Sequence, residues 1–189
     1  KVECDTIILA SGFQSTKKLL EKVDEKLCQR QFGKATRITS SVIEAALESR
    51  PLNGKHCLID TDKKMVALDY IAIQPKLGST GSHISAIAID GLSKEDRRYQ
   101  NPEDRLMKLE QFLDSHLAGW RSHIIGDLKQ KTITTHVMCP NADYLSFSKY
   151  NIIMAGDWLS SDYALSDRAT ASGQQAVAAI KKLTTQNNQ

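Results

Sequence analysis

The chain has 189 residues, of which 41% are hydrophobic and 25% are charged. This composition is typical of a globular protein with a sizeable core and excludes disordered, collagen-like and low-complexity chains. No apolar run approaches the ~20 residues of a membrane-spanning helix. A net charge of +3 with scattered basic residues does not favour nucleic-acid binding.

Four cysteines, at positions 4, 28, 57 and 139, form no C-x-x-C motif. Their wide, irregular spacing favours reduced thiols in a cytoplasmic protein over a disulfide framework. The chain begins with Lys1, and a strand-like run follows almost at once. This start suggests a chain cut from a longer one, although a processed terminus would look the same.

The N-terminal third is predicted to contain two strands and one helix. Residues 2–10 are a short apolar run that ends in small residues, which is typical of a buried strand. Residues 14–29 carry apolar side chains at helical spacing and predict a helix. Residues 38–47 are predicted as a strand because β-branched residues fill their first half, although the second half would also suit a helix.

The middle of the chain is rich in strand patterns. Residues 56–60, 65–73 and 82–90 are predicted as strands, and the last of these alternates almost perfectly. A helix is predicted to begin at Asn101-Pro102, because Asn caps helices and Pro suits the first helical position. Leucines at helical spacing continue this helix.

The C-terminal part is predicted as two strands and a long helix. Residues 131–138 are rich in threonine and stop before Pro140, and residues 150–154 form a short buried strand. The last helix is predicted over about 167–183. Its buried face is predicted to consist of Ala169, Gly173, Ala176, Val177, Ile180 and Leu183.

Both ends of the chain thus show a buried strand, a turn of small residues and a helix. The two ends could form one α/β layer, with the β-rich middle inserted as a second unit.

Several kinds of site are excluded by spacing. No two of the ten glycines are separated by one residue or lie five apart, so neither G-x-G-x-x-G nor a Walker A loop is present. No G-x-S-x-G nucleophile elbow is present either.

No metal site is predicted. Asp60-Thr61-Asp62 begins like a calcium loop, but Met65 and Ile71 stand where that loop needs Gly and Glu. The histidines are interpreted as structural or surface residues: His56, His83, His116, His123 and His136.

The strongest pattern lies in residues 151–176. An apolar strand is followed by Gly156-Asp157, a loop and a helix that begins with small residues. Free N–H groups and the dipole at a helix N-terminus attract anions and carbonyls, and the Asp157 carboxylate could accept hydrogen bonds from sugar-like hydroxyls. A plain tight turn with a helix packed through Ala and Gly fits the residues equally well.

This segment resembles the C-terminal flavin motif of the flavin-containing amine oxidase and phytoene-desaturase-like superfamily. The matching residues are Ala155-Gly156-Asp157-Trp158, Ala169, Ser172-Gly173 and Ala176. Residues 5–12 and the helix after them resemble, more weakly, the strand, Ala-Thr-Pro and helix element of the same superfamily.

The resemblance implies an α/β fold with an α+β middle, namely the C-terminal part of a two-domain FAD/NAD(P)-binding oxidoreductase. Residues 1–33 and 147–189 would be segments of the FAD domain, and residues 34–146 would form a β-rich substrate-binding region. The implied function is FAD-dependent oxidation of a small molecule, in which hydride passes from a substrate C–H to flavin.

By the same resemblance, Asp157 would contact the ribityl or pyrophosphate part of FAD. The backbone around Ser166 and Asp167 would face the pyrimidine ring, where the helix dipole favours the charge of the reduced flavin. No catalytic residue is predicted. The implied cofactor-binding residues are Ala10, Ser11, Gly156, Asp157, Trp158, Ser166, Asp167 and Ala169.

The sequence also departs from the superfamily pattern. Arg168 replaces the usual Gly, Ser11-Gly12 replaces Thr-Pro, and Leu165 stands where amine oxidases often carry an aromatic residue. A desaturase-like or other oxidase is therefore an alternative to an amine oxidase.

The G-x-G-x-x-G loop for the ADP half of FAD is absent from the sequence. An N-terminal Rossmann segment or a second chain would supply it, and the isolated chain is expected to bind FAD weakly or not at all. The alternative is a non-catalytic partner or structural domain that descends from such an enzyme and carries no flavin.

Overall fold

The structure is a computed structural model that describes residues 3–52, 55–78, 80–91, 98–162 and 165–186. The chain divides into two compact units: a terminal unit of Lys1–Arg37 with His136–Gln189, and a central unit of Ile38–Thr135. In chain order the main elements are β1 (Ile7–Leu9), α1 (Phe13–Glu21), α2 (Glu25–Phe32), β2 (Thr36–Leu47), β3 (Cys57–Asp60), β4 (Met65–Asp69), α3 (Tyr70–Ile73), β5 (Ser82–Ile89), α4 (Pro102–His116), β6 (Ile124–Met138), β7 (Ile152–Met154) and α5 (Leu165–Gln186). Short 3-10 helices lie at Pro75–Leu77, Trp120–His123 and Ser148–Tyr150.

The central unit is built on a five-stranded sheet in the order β3-β4-β5-β2-β6. β5 pairs antiparallel with both β4 and β2, and alternate residues of these strands are buried. One face of the sheet packs against α4, which buries its leucine stripe there. The resulting core includes Ile43, Ala45, Leu47, Met65, Ala67, Ile84, Ala86, Leu109, Leu113, Leu117 and Trp120.

The terminal unit contains a two-stranded sheet in which β1 and β7 run parallel, with Ile7 opposite Ile152 and Leu9 opposite Met154. All three residues of β7 are buried. The core of this unit is aromatic, because the rings of Phe13, Phe32 and Trp158 meet edge to face at centroid distances of 5.7–5.9 Å. β1 contrasts with β7, since Ile7 and Ile8 are 45% and 38% exposed.

Several predicted elements are confirmed. The alternating strand at 82–90, the strand at 38–47 and the helix that begins at Pro102 all form. The Asn101 side chain accepts a hydrogen bond from the backbone N–H of Asp104 at 2.8 Å. This bond is the one that the predicted cap requires.

Other boundaries were predicted wrongly. The strand predicted for 2–10 is only Ile7–Leu9, and the single helix predicted for 14–29 is two helices. The break occurs because Asp24 leaves the helix and caps α2, accepting a hydrogen bond from the backbone N–H of Leu27 at 2.8 Å. Aspartate is a favoured capping residue for this reason.

The strand predicted for 65–73 ends at Asp69 for the same kind of reason. The Asp69 carboxylate accepts hydrogen bonds from the backbone N–H groups of Ile71 and Ala72, both at 3.1 Å, and so starts α3. β6 begins at Ile124 rather than near 131. The first residues of β6 are exposed on both faces. A strand without a buried face needs no alternation of apolar and polar residues, and this alternation is the pattern by which a strand is recognised.

The buried face of α5 also differs from the prediction. Ala176 is buried as expected, whereas Ala169 and Val177 are exposed. The side chain of Leu183, which was predicted on the same face, lies outside the described residues.

Two polar residues of α5 take the place of the missing apolar ones. Arg168 and Ser172 are buried one turn apart, on the same face as Ala176. Both make hydrogen bonds to the loop that precedes the helix, and a polar side chain with such partners can be buried.

The four cysteines are free thiols. Cys4 and Cys57 are exposed, whereas burial raises the pKa of the Cys28 and Cys139 thiols to about 11. Within the residues that the structure describes, no helix combines the length and apolarity that a bilayer crossing requires.

Candidate site at the carboxyl ends of β1 and β7

The candidate site begins where the two parallel strands end together. The backbone N–H of Ala155 donates to the Leu9 carbonyl at 3.0 Å, so the segments after β1 and after β7 leave the sheet side by side. Ligands of parallel α/β sheets bind at this carboxyl edge. The fold thus brings the predicted residues Ala10 and Ser11 together with Gly156.

Residues 155–162, here called the β7 loop, are anchored by α5. The backbone N–H of Gly156 donates to Ser172 Oγ at 2.9 Å. Arg168 donates from Nη1 to the Asp157 carbonyl at 3.4 Å and from Nη2 to the Ser161 carbonyl at 3.3 Å. Arg168, where the superfamily usually has Gly, therefore ties the start of α5 to the β7 loop.

Asp157 presents a carboxylate at this edge. His136 Nδ1 lies 3.0 Å from Asp157 Oδ2. His136 is only 8% exposed, whereas the Asp157 side chain is 46% exposed. One carboxylate oxygen is thus held by a buried imidazole while the group stays accessible to a ligand. The interpretation of His136 as a structural residue did not include this partner.

Trp158 contributes to the core rather than to the surface of the site. Its ring is buried against Phe13 and Phe32, and its Nε1 is buried without a hydrogen-bond partner among the described residues. A Cβ at position 156 would lie 2.3 Å from that nitrogen, so Gly156 is required by the packing of Trp158. Because the Trp158 ring is buried in the core, the predicted contact of Trp158 with a cofactor would have to be made by its backbone atoms.

The first turn of α5 is exposed. Leu165, Ser166 and Asp167 are all accessible, as is Ala169. The N–H groups at the start of a helix have no partner within the helix and carry its positive dipole end. The structure thus places the predicted residues of α5 where a carbonyl or anion could approach, and their contact with a flavin stays a prediction.

These residues fit one half of FAD. A half-exposed carboxylate suits a hydroxyl-bearing chain such as the ribityl group, and a helix N-terminus suits an electron-rich carbonyl such as that of the pyrimidine ring. The ADP half needs a glycine-rich loop, which this sequence does not contain.

The central unit holds a polar cluster that the sequence did not predict. His83 Nε2 lies 2.9 Å from Glu44 Oε2, and Ser85 Oγ donates to Glu44 Oε1 at 2.7 Å. The Tyr70 ring lies 5.5 Å from the His83 ring. The register of β2 and β5, which places Glu44 opposite Ser85, creates this cluster. The sequence could have predicted it only through the pairing of these two strands.

Comparisons with known proteins show a likeness in structure alone. No protein-family model matches the sequence, and no curated protein matches it.

Among the solved structures that share the fold are two oxidoreductases. Cyclohexylamine oxidase from Brevibacterium oxydans IH-35A aligns over 95% of this chain with a TM-score of 0.56 and 16% identity. An oxidoreductase from Methanosarcina mazei aligns over 96% of this chain with a TM-score of 0.59 and 13% identity. In both cases the chain spans 43% of the other protein's length.

The chain therefore shares the fold of part of each of these two oxidoreductases. The predicted fold class, an α/β fold with a β-rich region between its two terminal segments, is confirmed.

Proposed function

We propose that this chain is the flavin-proximal and substrate-binding part of an FAD-dependent oxidoreductase. The observation that carries the proposal is the convergence of three features on one edge. The two parallel strands end there, the half-exposed Asp157 carboxylate lies there, and α5 is anchored to the same loop by Arg168 and Ser172.

Each feature has a role in this proposal. Asp157 accepts hydrogen bonds from ribityl hydroxyls, and the segment at Ala10-Ser11 lines the neighbouring strand end. The backbone N–H groups near Ser166 and Asp167 face the pyrimidine carbonyl, where the helix dipole favours negative charge. When bound, flavin supplies the hydride-accepting chemistry.

Exposed apolar side chains in the terminal unit support a missing neighbour. Parallel sheets are normally covered on both faces, yet Ile7 and Ile8 of β1 are exposed, and so is Val177 of α5. We propose that a Rossmann segment, in the same protein or in a second chain, covers these exposed apolar side chains and supplies the G-x-G-x-x-G loop. Residues 1–33 and 147–189 would then belong to the FAD domain.

The substrate is proposed to be a small molecule bound by the β-rich region of residues 34–146. The likeness to cyclohexylamine oxidase supports an amine, whereas Leu165 supports another oxidase or a desaturase, because it lacks the aromatic ring expected in amine oxidases. The free thiols support a cytoplasmic location.

The experiment is a visible absorbance spectrum of the natively purified protein together with whatever co-purifies. We expect a flavin band, and mass analysis should reveal the chain or segment that carries the glycine-rich loop. A folded, monodisperse preparation that contains the segment with the glycine-rich loop but no flavin would contradict the proposal and favour the non-catalytic alternative. Tight stoichiometric FAD on the isolated 189-residue chain would contradict the need for a second segment.

A further inference from the structure

The contact between His136 and Asp157 assigns a role to a residue that the resemblance does not cover. Resting on the proposed function, we infer that His136 is a positioning residue, which orients the Asp157 carboxylate for a polyhydroxyl chain such as the ribityl group of a flavin.

The contact between His136 Nδ1 and Asp157 Oδ2 selects one tautomer of the imidazole. A carboxylate only accepts hydrogen bonds, so the proton of this pair lies on His136 Nδ1 and points at Asp157 Oδ2. A buried imidazole needs a partner for its N–H, and Asp157 provides it. The contact also holds one oxygen of a carboxylate whose side chain is 46% exposed.

The backbone around the pair makes the contact rigid. His136 lies near the end of β6, and three residues later the backbone N–H of Cys139 donates to the Trp158 carbonyl at 3.0 Å. The other side of the β7 loop is held by Ser172 and Arg168. The carboxylate is therefore anchored through its main chain and through one of its oxygens, which is the arrangement that preorganises an acceptor for a ligand.

Two probes isolate the predicted contact. Riboflavin carries the ribityl chain, and lumiflavin has a methyl group in its place. The affinity of the full chain for each probe is measured from the ¹⁵N-amide shifts of Gly156 and Asp157, a method that detects weak binding. We expect wild-type protein to bind riboflavin more tightly than lumiflavin.

Four variants test the role of His136: His136→Leu, His136→Asn, Asp157→Asn and the double variant His136→Leu/Asp157→Asn. Loss of one oriented hydrogen-bond acceptor should weaken riboflavin binding of His136→Leu by about 5- to 10-fold and leave lumiflavin binding unchanged. His136→Asn retains an N–H at the position of Nδ1 and should restore binding. The double variant should bind no more weakly than Asp157→Asn alone.

A merely structural role gives a different result. His136→Leu would then lower the melting temperature but keep the wild-type preference for riboflavin, which would overturn the inference. Lack of any riboflavin-dependent shift in wild-type protein would also overturn it, whereas the proposed function is judged separately by the native absorbance spectrum. If His136→Leu does not fold, His136→Phe takes its place, because its ring fills the position of the imidazole without an N–H, and the same loss of the riboflavin preference is expected.

Discussion

The central and terminal units differ in how they cover their sheets. In the central unit, α4 covers one face of a five-stranded sheet whose β3-β4, β4-β5 and β5-β2 pairs are antiparallel, and the core residues of both layers are buried. In the terminal unit, a parallel pair of strands buries β7 but leaves Ile7 and Ile8 of β1 exposed. An antiparallel sheet can leave one face in water, whereas parallel strands occur almost only in sheets that are covered on both faces.

The difference indicates where each unit obtains its stability. The central unit is closed by its own residues, so substitutions in its core should have large effects in the chain studied alone. The apolar surface of β1 should contribute little until something covers it. Four predictions test this contrast.

The largest effect is expected at Arg105. This side chain is 1% exposed, and it donates to Asp90 Oδ2 and Ser41 Oγ at 2.9 Å and to the Lys131 carbonyl at 3.1 Å. Arg105→Ala removes a buried donor shared by all three acceptors and takes the charge partner of Asp90 away, so it should lower the free energy of unfolding by about 3–5 kcal/mol, measured by urea titration.

The control for Arg105 is Arg121→Ala. Arg121 pairs with Asp114 at 2.8 Å on the surface of the same unit. An ion pair at the surface contributes about 0–1 kcal/mol. If Arg105→Ala and Arg121→Ala lowered the free energy of unfolding equally, buried contacts would not be the main source of stability in the central unit.

The next effect contrasts apolar side chains of the two units. Leu113 is fully buried in the central core, and Leu113→Ala should cost about 2–5 kcal/mol. Ile8 of β1 is 38% exposed. Ile8→Thr should therefore change the free energy of unfolding by about 0.5 kcal/mol or less. A large loss for Ile8→Thr in the isolated chain would show that β1 is already covered and would remove the argument for a missing neighbour.

A smaller effect is expected at Ser172. Its hydroxyl accepts from the backbone N–H of Gly156 and is buried. Ser172→Ala leaves that N–H without its partner and should cost about 1–3 kcal/mol, with faster hydrogen exchange at Gly156. Thr170→Ala is the control, because the Thr170 hydroxyl bonds to the Ser166 carbonyl on the exposed side of α5. Unchanged exchange at Gly156 in Ser172→Ala would contradict the anchoring of the β7 loop.

The smallest effect is a pH dependence at Asp24. The backbone N–H of Leu27, the Tyr150 hydroxyl and Lys149 bind the Asp24 carboxylate and lower its pKa from 3.8 to about 2. A lowered pKa in the folded state means that the stabilisation is present above pH 3.8 and is lost as the pH falls towards 2.

Asp24→Asn keeps a good helix cap but removes this charge. Its melting temperature should lie below that of wild-type protein at pH 7 and approach it as the pH falls from about 4 to about 2. A gap that does not change with pH would show that the carboxylate charge contributes nothing.

Local patterns determined much of the fold. The alternation of β5 and the Asn101 cap of α4 are features of consecutive residues, and both elements formed as predicted. The strand, Gly156-Asp157 turn and helix at the C-terminal end were also predicted, because a buried strand and a helix with small residues differ in periodicity.

Predictions from local sequence patterns were wrong where a polar side chain forms a hydrogen bond that the pattern does not encode. Asp24 and Asp69 each ended a predicted element by capping the next helix, although the apolar periodicity continued past both residues. The buried face of α5 differs from the predicted one because Arg168 and Ser172 lie on it. A polar side chain that forms hydrogen bonds can replace an apolar one in the interior.

The sequence by itself therefore determined the class of elements, their order and the segment that carries the candidate site. Only the tertiary structure decided that His136 meets Asp157, 21 residues away, and that Glu44 meets Ser85, 41 residues away. The physical reason is that strand register and loop anchoring set these contacts. Both depend on packing between distant residues, which no local periodicity encodes.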